Sequence, residues 1–196
     1  FFCLDKVICY YASWGAERPG NGKFLPEDID PNICTHINYA FLGLSDNGTL
    51  EILDEDLDVT QGRIPRVFIL FCPTKTHIFL GGFSRISALK EQNPNLKVLF
   101  SVGGAAAIPW TFVLVSNDSD NVARMVQSAL DLCEKYNFDG LDVDWEYPYG
   151  ESAQQFVNLI ASLKAAFEPR GYLVTAAVNS IPTEVGGGYD IPGLSA

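Results

Sequence analysis

Short runs rich in β-branched and aromatic residues recur along this chain, with helical patterns between most of them. The runs are Lys6–Tyr11 (KVICYY), Thr35–Leu42 (THINYAFL), Lys97–Val102 (KVLFSV), Gly140–Glu146 (GLDVDWE) and Tyr172–Val178 (YLVTAAV). Each is bounded by Gly, Pro, Asn or Asp and is nearly continuous in apolar character. That is how strands covered on both faces of a parallel sheet read. The clearest helix spans Asn121–Tyr136, where Val122, Met125, Val126, Ala129, Leu130, Cys133 and Tyr136 share one face and Ser119 or Asp120 is placed to cap it. A second runs from Ala153 to Phe167 with Phe156, Leu159, Ile160, Leu163 and Phe167 on one face, and Pro169 and Gly171 end it. A third covers Phe83–Gln92 and stops at Asn93-Pro94.

Alternating strands and helices predict an α/β fold with a parallel sheet, either open and doubly wound or closed into a barrel. Glycine-rich phosphate fingerprints are absent, which weakens a nucleotide-binding version. At 196 residues the chain is one ordinary domain or part of a larger one; a complete eight-fold β/α barrel takes about 250. No internal repeat or low-complexity linker divides it. An apolar content of 47% is too high for intrinsic disorder. Its 13 basic against 24 acidic residues argue against nucleic acid as a partner, and leave a neutral polysaccharide open. The most apolar stretch, Ile64–Leu80, is interrupted by Pro65, Arg66, Pro73, Lys75 and His77. It falls short of the about 20 mostly apolar residues of a membrane span. The chain opens on Phe1, which reads as a processed or cut N-terminus, and Phe1–Leu4 is too short to identify a signal segment.

The chemistry concentrates in Phe138–Pro148, FDGLDVDWEYP. Side chains alternate along a strand, so Asp142, Asp144 and Glu146 point one way and Leu141, Val143 and Trp145 the other. Alternate residues lie about 6.5 Å apart. At an effective dielectric near 20, two such charges repel by about 2.5 kcal/mol, roughly two pKa units. The three are therefore expected to titrate together and to hold one proton near neutral pH. A carboxyl that stays protonated is what a general acid needs. Two plainer readings compete: a solvated polar face on a half-exposed strand, and a Mg²⁺ or Ca²⁺ site. The first conflicts with the buried character of the neighbouring strands, the second with the lack of a phosphate loop or nearby His.

Asp139-x-x-Asp142-x-Asp144-x-Glu146 resembles the D-x-x-D-x-D-x-E signature of glycoside hydrolase family 18, the chitinases and chitinase-like proteins, in its animal, arthropod-like form. Ser101-Val102-Gly103-Gly104 resembles the family's S-x-G-G motif, and Lys6–Phe41 its first two strands. The resemblance implies a (β/α)8 TIM barrel, here truncated after about strand five, with residues 1–196 as the N-terminal part of one catalytic domain. It implies a site at the C-terminal strand ends and substrate-assisted, retaining cleavage of β-1,4-linked N-acetylglucosamine polymers. Glu146 would be general acid and base. Asp144 would hold the substrate acetamido group, and Asp142 would share its proton. Tyr10 and Ser101 would hydrogen-bond Asp142. Phe41, Gly103, Gly104, Asp139 and Tyr147 would bind substrate. No metal or other cofactor is required. The implied partners are chitin or chitooligosaccharides, for a secreted, extracellular monomer. A non-catalytic chitin-binding lectin or growth factor is the alternative, which Glu146 disfavours because such proteins often lose that residue. An endo-N-acetylglucosaminidase acting on glycoproteins shares the motif.

Three departures stand out. The chain stops before strands six to eight, so by this reading it is poorly soluble and inactive alone. Ala105-Ala106-Ala107 stands where many chitinases carry a Trp, leaving Trp110 either as a substitute stacking residue or as a plain core or loop aromatic. Arg63–Gly81 lengthens the gap between strands two and three; it reads as an intron carried through a gene prediction, or else as a lineage-specific loop. The resemblance also implies a Cys9–Cys34 disulfide, worth about 3 kcal/mol and requiring an oxidising compartment. Cys133 reads as a core thiol and His36 as a satisfied strand residue. The sequons at Asn47 and Asn117 are compatible with secretion but add little to it.

Overall fold

The computed structural model describes residues 6–60, 81–180 and 189–194. The expected strands form β1 (Ile8–Ala12), β2 (His36–Leu44), β4 (Lys97–Gly103), β5 (Gly140–Asp144) and β6 (Leu173–Ala176). They lie side by side in the order β1-β2-β4-β5-β6, and every neighbouring pair in that series is parallel. A further short strand, β3 (Leu50–Ile52), returns antiparallel on the end of β2. The register aligns Ala12, Ala40, Ser101, Asp142 and Thr175 across the sheet. β5 stops at Asp144, short of the expected Glu146: the Gly104 N–H closes onto the Asp144 carbonyl at 2.9 Å, and the ladder has no further partner.

Among the described residues the α-helices are α1 (Gly82–Ser87), α2 (Pro109–Ser116), α3 (Ser119–Tyr136), α4 (Ser152–Phe167) and α5 (Ile191–Leu194). α1 tightens into a 3₁₀ turn over Ala88–Glu91, so the expected Phe83–Gln92 helix is really two pieces. The cap of α3 is Asp118, whose side chain accepts from the Asp120 and Asn121 N–H groups, in place of the expected Ser119 or Asp120. The helix ends on Asn137 in the left-handed region, φ 58°. α2 was not expected; it is apolar on nearly every face and shows no helical period.

Each strand turns one face to the helices. Ile37, Tyr39, Val98, Phe100, Val102, Leu141 and Val143 pack there into a fully buried core. Phe100 stacks on Phe138 at 3.7 Å, with Phe83 edge-on to Phe100 at 5.0 Å. Trp145, 1% exposed, lies flat against Phe112 of α2 and edge-on to Phe156 of α4. The apolar side of the acidic stretch thus anchors β5 between two helices and fixes the other side in place. Cys9 and Cys34 are joined in a disulfide beside the β1–β2 pair, Cα atoms 6.1 Å apart. Cys133 is a buried free thiol, and burial pushes it up to about 12. The intron-like segment lies outside the described residues except at Gly81, where an added Cβ would sit 2.3 Å from the Asp58 carbonyl oxygen. The chain on the two sides of that segment is therefore in contact.

Candidate active site

The opposite face of the sheet carries the polar groups. Asp142 sits in mid-sheet, 2% exposed, and accepts three side-chain hydrogen bonds. Tyr10 Oη and Ser101 Oγ both donate to Oδ2, at 2.7 and 2.8 Å. Thr175 Oγ1 donates to Oδ1 at 2.7 Å. Ser101 and Thr175 flank Asp142 in register on β4 and β6. Tyr10 starts two residues lower on β1, and the length of its side chain carries the hydroxyl up to the same point. Burial, and then the bond to Asp142, raise the Tyr10 hydroxyl well above its ordinary value, so it remains a donor.

One step further along β5, Asp144 is 7% exposed. Burial first, then the Glu146 and Asp142 charges, push it up to about 6. Asp144 is thus a carboxyl that holds a proton towards neutral pH, with burial rather than the neighbouring charges as the first cause. Glu146 is partly buried just beyond the strand end. A cavity of about 370 Å³ opens there, lined by Tyr10, Trp14, Phe41, Asp144, Glu146 and Tyr147 among others. A second cavity of about 660 Å³ shares Trp14 and Phe41 with it and continues past Ala105, Ala106 and Ala107.

The glycine pair makes this geometry possible. Gly103 has φ 113°, and a Cβ there would fall 2.1 Å from the Asp144 carbonyl oxygen. Gly104 has φ 83°, and its Cβ would reach 2.7 Å from the Phe41 ring. Neither position accommodates a side chain without displacing β5 or the cleft wall.

The structure brings Tyr10, Phe41, Ser101, Gly103, Gly104, Asp142, Asp144, Glu146 and Tyr147 to one end of the sheet. Asp139 is elsewhere. It precedes β5, about 16 Å of strand from Asp144, and accepts from Lys90 Nζ, Lys97 Nζ and the Val98 N–H at 3.0, 3.3 and 2.9 Å. That placement corrects its expected substrate contact: Asp139 ties the starts of β4 and β5 together. Trp110 fits neither of its two readings cleanly. It is 63% exposed in the first turn of α2 and lines neither cavity. His36 is bonded to Thr35 Oγ1 through Nδ1 at 2.8 Å. Two residues escaped sequence reasoning. Thr175 could have been found only with the β5–β6 register in hand. Trp14, which stacks on Phe41 at 6.1 Å, follows β1 in an irregular turn with no periodic signal.

As for metal, both Asp142 oxygens already face hydroxyl protons. Among the described residues no group of three His, Cys, Asp or Glu side chains is arranged to hold an ion.

A parallel β/α sheet thus carries a buried carboxylate, a proton-holding carboxyl and a third acid towards one end of its strands. The chain belongs to glycosyl hydrolases family 18, whose profile matches residues 6–196. It is 34% identical over 196 residues to an endochitinase of Brugia malayi, covering 95% of this chain and 35% of that protein. Its fold matches the Group IV chitinase of Ostrinia furnacalis with a TM-score of 0.82 at 35% identity, over 97% of this chain and 48% of that one. It also matches human YKL-39, described as a pseudo-chitinase with retained chitooligosaccharide binding, with a TM-score of 0.77 at 29% identity, over 96% of this chain and 48% of that one. The chain thus spans about half, or less, of the proteins it matches, and its sheet is part of a TIM barrel.

Proposed function

We propose that the whole protein is a chitinase-type hydrolase of β-1,4-linked N-acetylglucosamine polymers, working by substrate-assisted, retaining cleavage. The observation that carries this reading is the intact acid series: Asp142 held by three hydroxyls, Asp144 retaining a proton to about pH 6, and Glu146 open to the cleft. Glu146 protonates the glycosidic oxygen. The substrate's own acetamido oxygen attacks the anomeric carbon, and the leaving sugar departs with the proton. Asp144 accepts the acetamido N–H and stabilises the cyclic, positively charged intermediate, while Asp142 shares a proton with Asp144 and so tunes its charge. Glu146, now a carboxylate, takes a proton from the water that opens the intermediate. Phe41, Tyr147 and Trp14 supply apolar surfaces for sugar faces. Residues 1–196 alone are inactive on this reading, because one side each of β1 and β6 has no strand beside it among the described residues. The disulfide supports an oxidising, extracellular setting.

A second reading, a sugar-binding protein without turnover, is favoured by the likeness to YKL-39 and opposed by the presence of Glu146. Incubating the whole protein with soluble chitooligosaccharides separates them. Release of shorter products supports the hydrolase; tight binding with no release supports the lectin and overturns it.

A further inference from the structure

We propose that Thr175 is a positioning residue that keeps the proton of the Asp142–Asp144 pair on Asp144. The inference rests on the hydrolase reading for its kinetic consequence, but its structural basis is independent of it. A carboxylate oxygen offers about two lone-pair sites. Oδ2 of Asp142 has both filled, by the Tyr10 and Ser101 hydroxyls at 2.7 and 2.8 Å. A proton arriving at Asp142 therefore has to settle on Oδ1. Thr175 Oγ1 meets that oxygen at 2.7 Å and, as a donor, competes with the proton for it. Three hydroxyl donors on one side chain match an acceptor-only, ionised carboxylate.

The groups around the pair are few. Tyr10 faces it from β1 with the buried Asn38 of β2 close by, Tyr147 lines the same cavity, and the Tyr189 hydroxyl lies within electrostatic reach of Asp144 and Glu146. Ser101 faces it from β4 and Thr175 from β6. Asp144 and Glu146 are the neighbouring acids on the same strand, and no Lys, Arg or His lines the cleft among the described residues. No cation therefore faces Asp142 there, and the three hydroxyls are the side-chain partners its carboxyl has among the described residues. Among the described residues no such donor set is seen at Asp144, and burial, Glu146 and Asp142 all push it toward protonation. Thr175 decides how the single proton divides between the two carboxyls. The plain alternative is a Thr chosen for β propensity and packing, to which Oγ1 is incidental.

The test uses the whole protein with Thr175→Val (same shape, no donor), Thr175→Ala (no donor, no bulk) and Thr175→Ser (donor kept). The first readout is the titration of the aspartate side-chain carboxyl carbons by NMR, assigned with Asp142→Asn and Asp144→Asn. In Val and Ala variants the lower of the pair's two midpoints should rise by about one unit. The Ser variant should restore it to within a few tenths of a unit. The second readout is the pH dependence of chitooligosaccharide hydrolysis, where the acidic limb of kcat/KM should move up with that midpoint. At pH values below both the wild-type and the variant midpoint, kcat should fall about tenfold with KM nearly unchanged, and at neutral pH the two rates should coincide. Val and Ala midpoints coinciding with wild type, or a Ser variant displaced as far as Val, would overturn the proposal. A wild-type protein with no turnover would sink the hydrolase reading instead, and the carboxyl titration would still decide the role of Thr175.

Discussion

Gly103→Ala is the sharpest probe of how the strand ends are built. Gly103 holds φ 113°, and a Cβ there would lie 2.1 Å from the Asp144 carbonyl oxygen. That oxygen already accepts the Gly104 N–H at 2.9 Å. An L side chain in a left-handed conformation costs about 1–2 kcal/mol. Overpacking against backbone that can yield only by moving β5 adds about 1–3 kcal/mol. The expected loss is therefore about 2–5 kcal/mol. Gly171→Ala is the control: its φ is also positive, at 76°, but nothing lies within 4 Å of the new Cβ. It should lose only the conformational part, about 1–2 kcal/mol. Urea unfolding of the two variants in the whole protein measures the difference, and turnover follows it, because the displaced group is the backbone of Asp144. Equal losses in the two variants would mean that the close approach of the Gly103–Gly104 corner to β5 is wrong.

Three other outcomes are expected. Asp58 is 1% exposed and accepts the Tyr39 hydroxyl at 2.5 Å; burial raises it to about 6. Its folded form holds a proton that the unfolded chain releases near pH 4, so Asp58 weakens the fold progressively from about pH 4 to 6 and fully above that. Asp58→Asn should raise Tm at pH 7.5 and have little effect at pH 3.5; the same change at both would remove the argument. Cys34→Ser, opening a link between residues 25 apart, should reduce stability by about 3 kcal/mol, read from urea midpoints under oxidising conditions. Because Gly81 abuts the backbone of Asp58 and Val59, joining residue 60 directly to residue 81 should leave a cooperative unfolding transition; a chain that no longer folds would show that 61–80 contribute to the fold.

Much of the architecture was legible because periodicity reports burial. The α3 and α4 faces agree with the 3.6-residue spacing, and the strands coincide with their apolar runs to within two residues at either end, β1, β2 and β4 running past them to Ala12, Leu44 and Gly103. The misses have physical causes. α2, PWTFVLVS, is apolar all round, so no period marks it, although Pro109 at its first turn was an available start signal. β3 is only three residues long, too short for an alternating pattern, and the Asp46-Asn47-Gly48 turn before it is its one mark in the sequence. At the site, alternation along one strand placed Asp142, Asp144 and the buried Trp145 correctly. Asp139 was carried to the cleft by its place in a motif, whereas strand length puts it at the far end. Thr175 and Trp14 depend on how separate segments meet, which a single sequence does not encode locally.

The central claim is that Glu146 is the acid and base of a chitin hydrolase. Glu146→Gln in the whole protein, assayed for release of products from soluble chitooligosaccharides and for binding of the same sugars, tests it most directly. The account predicts a fall in turnover of at least about 10²-fold with binding retained. Turnover near the wild-type rate would contradict it.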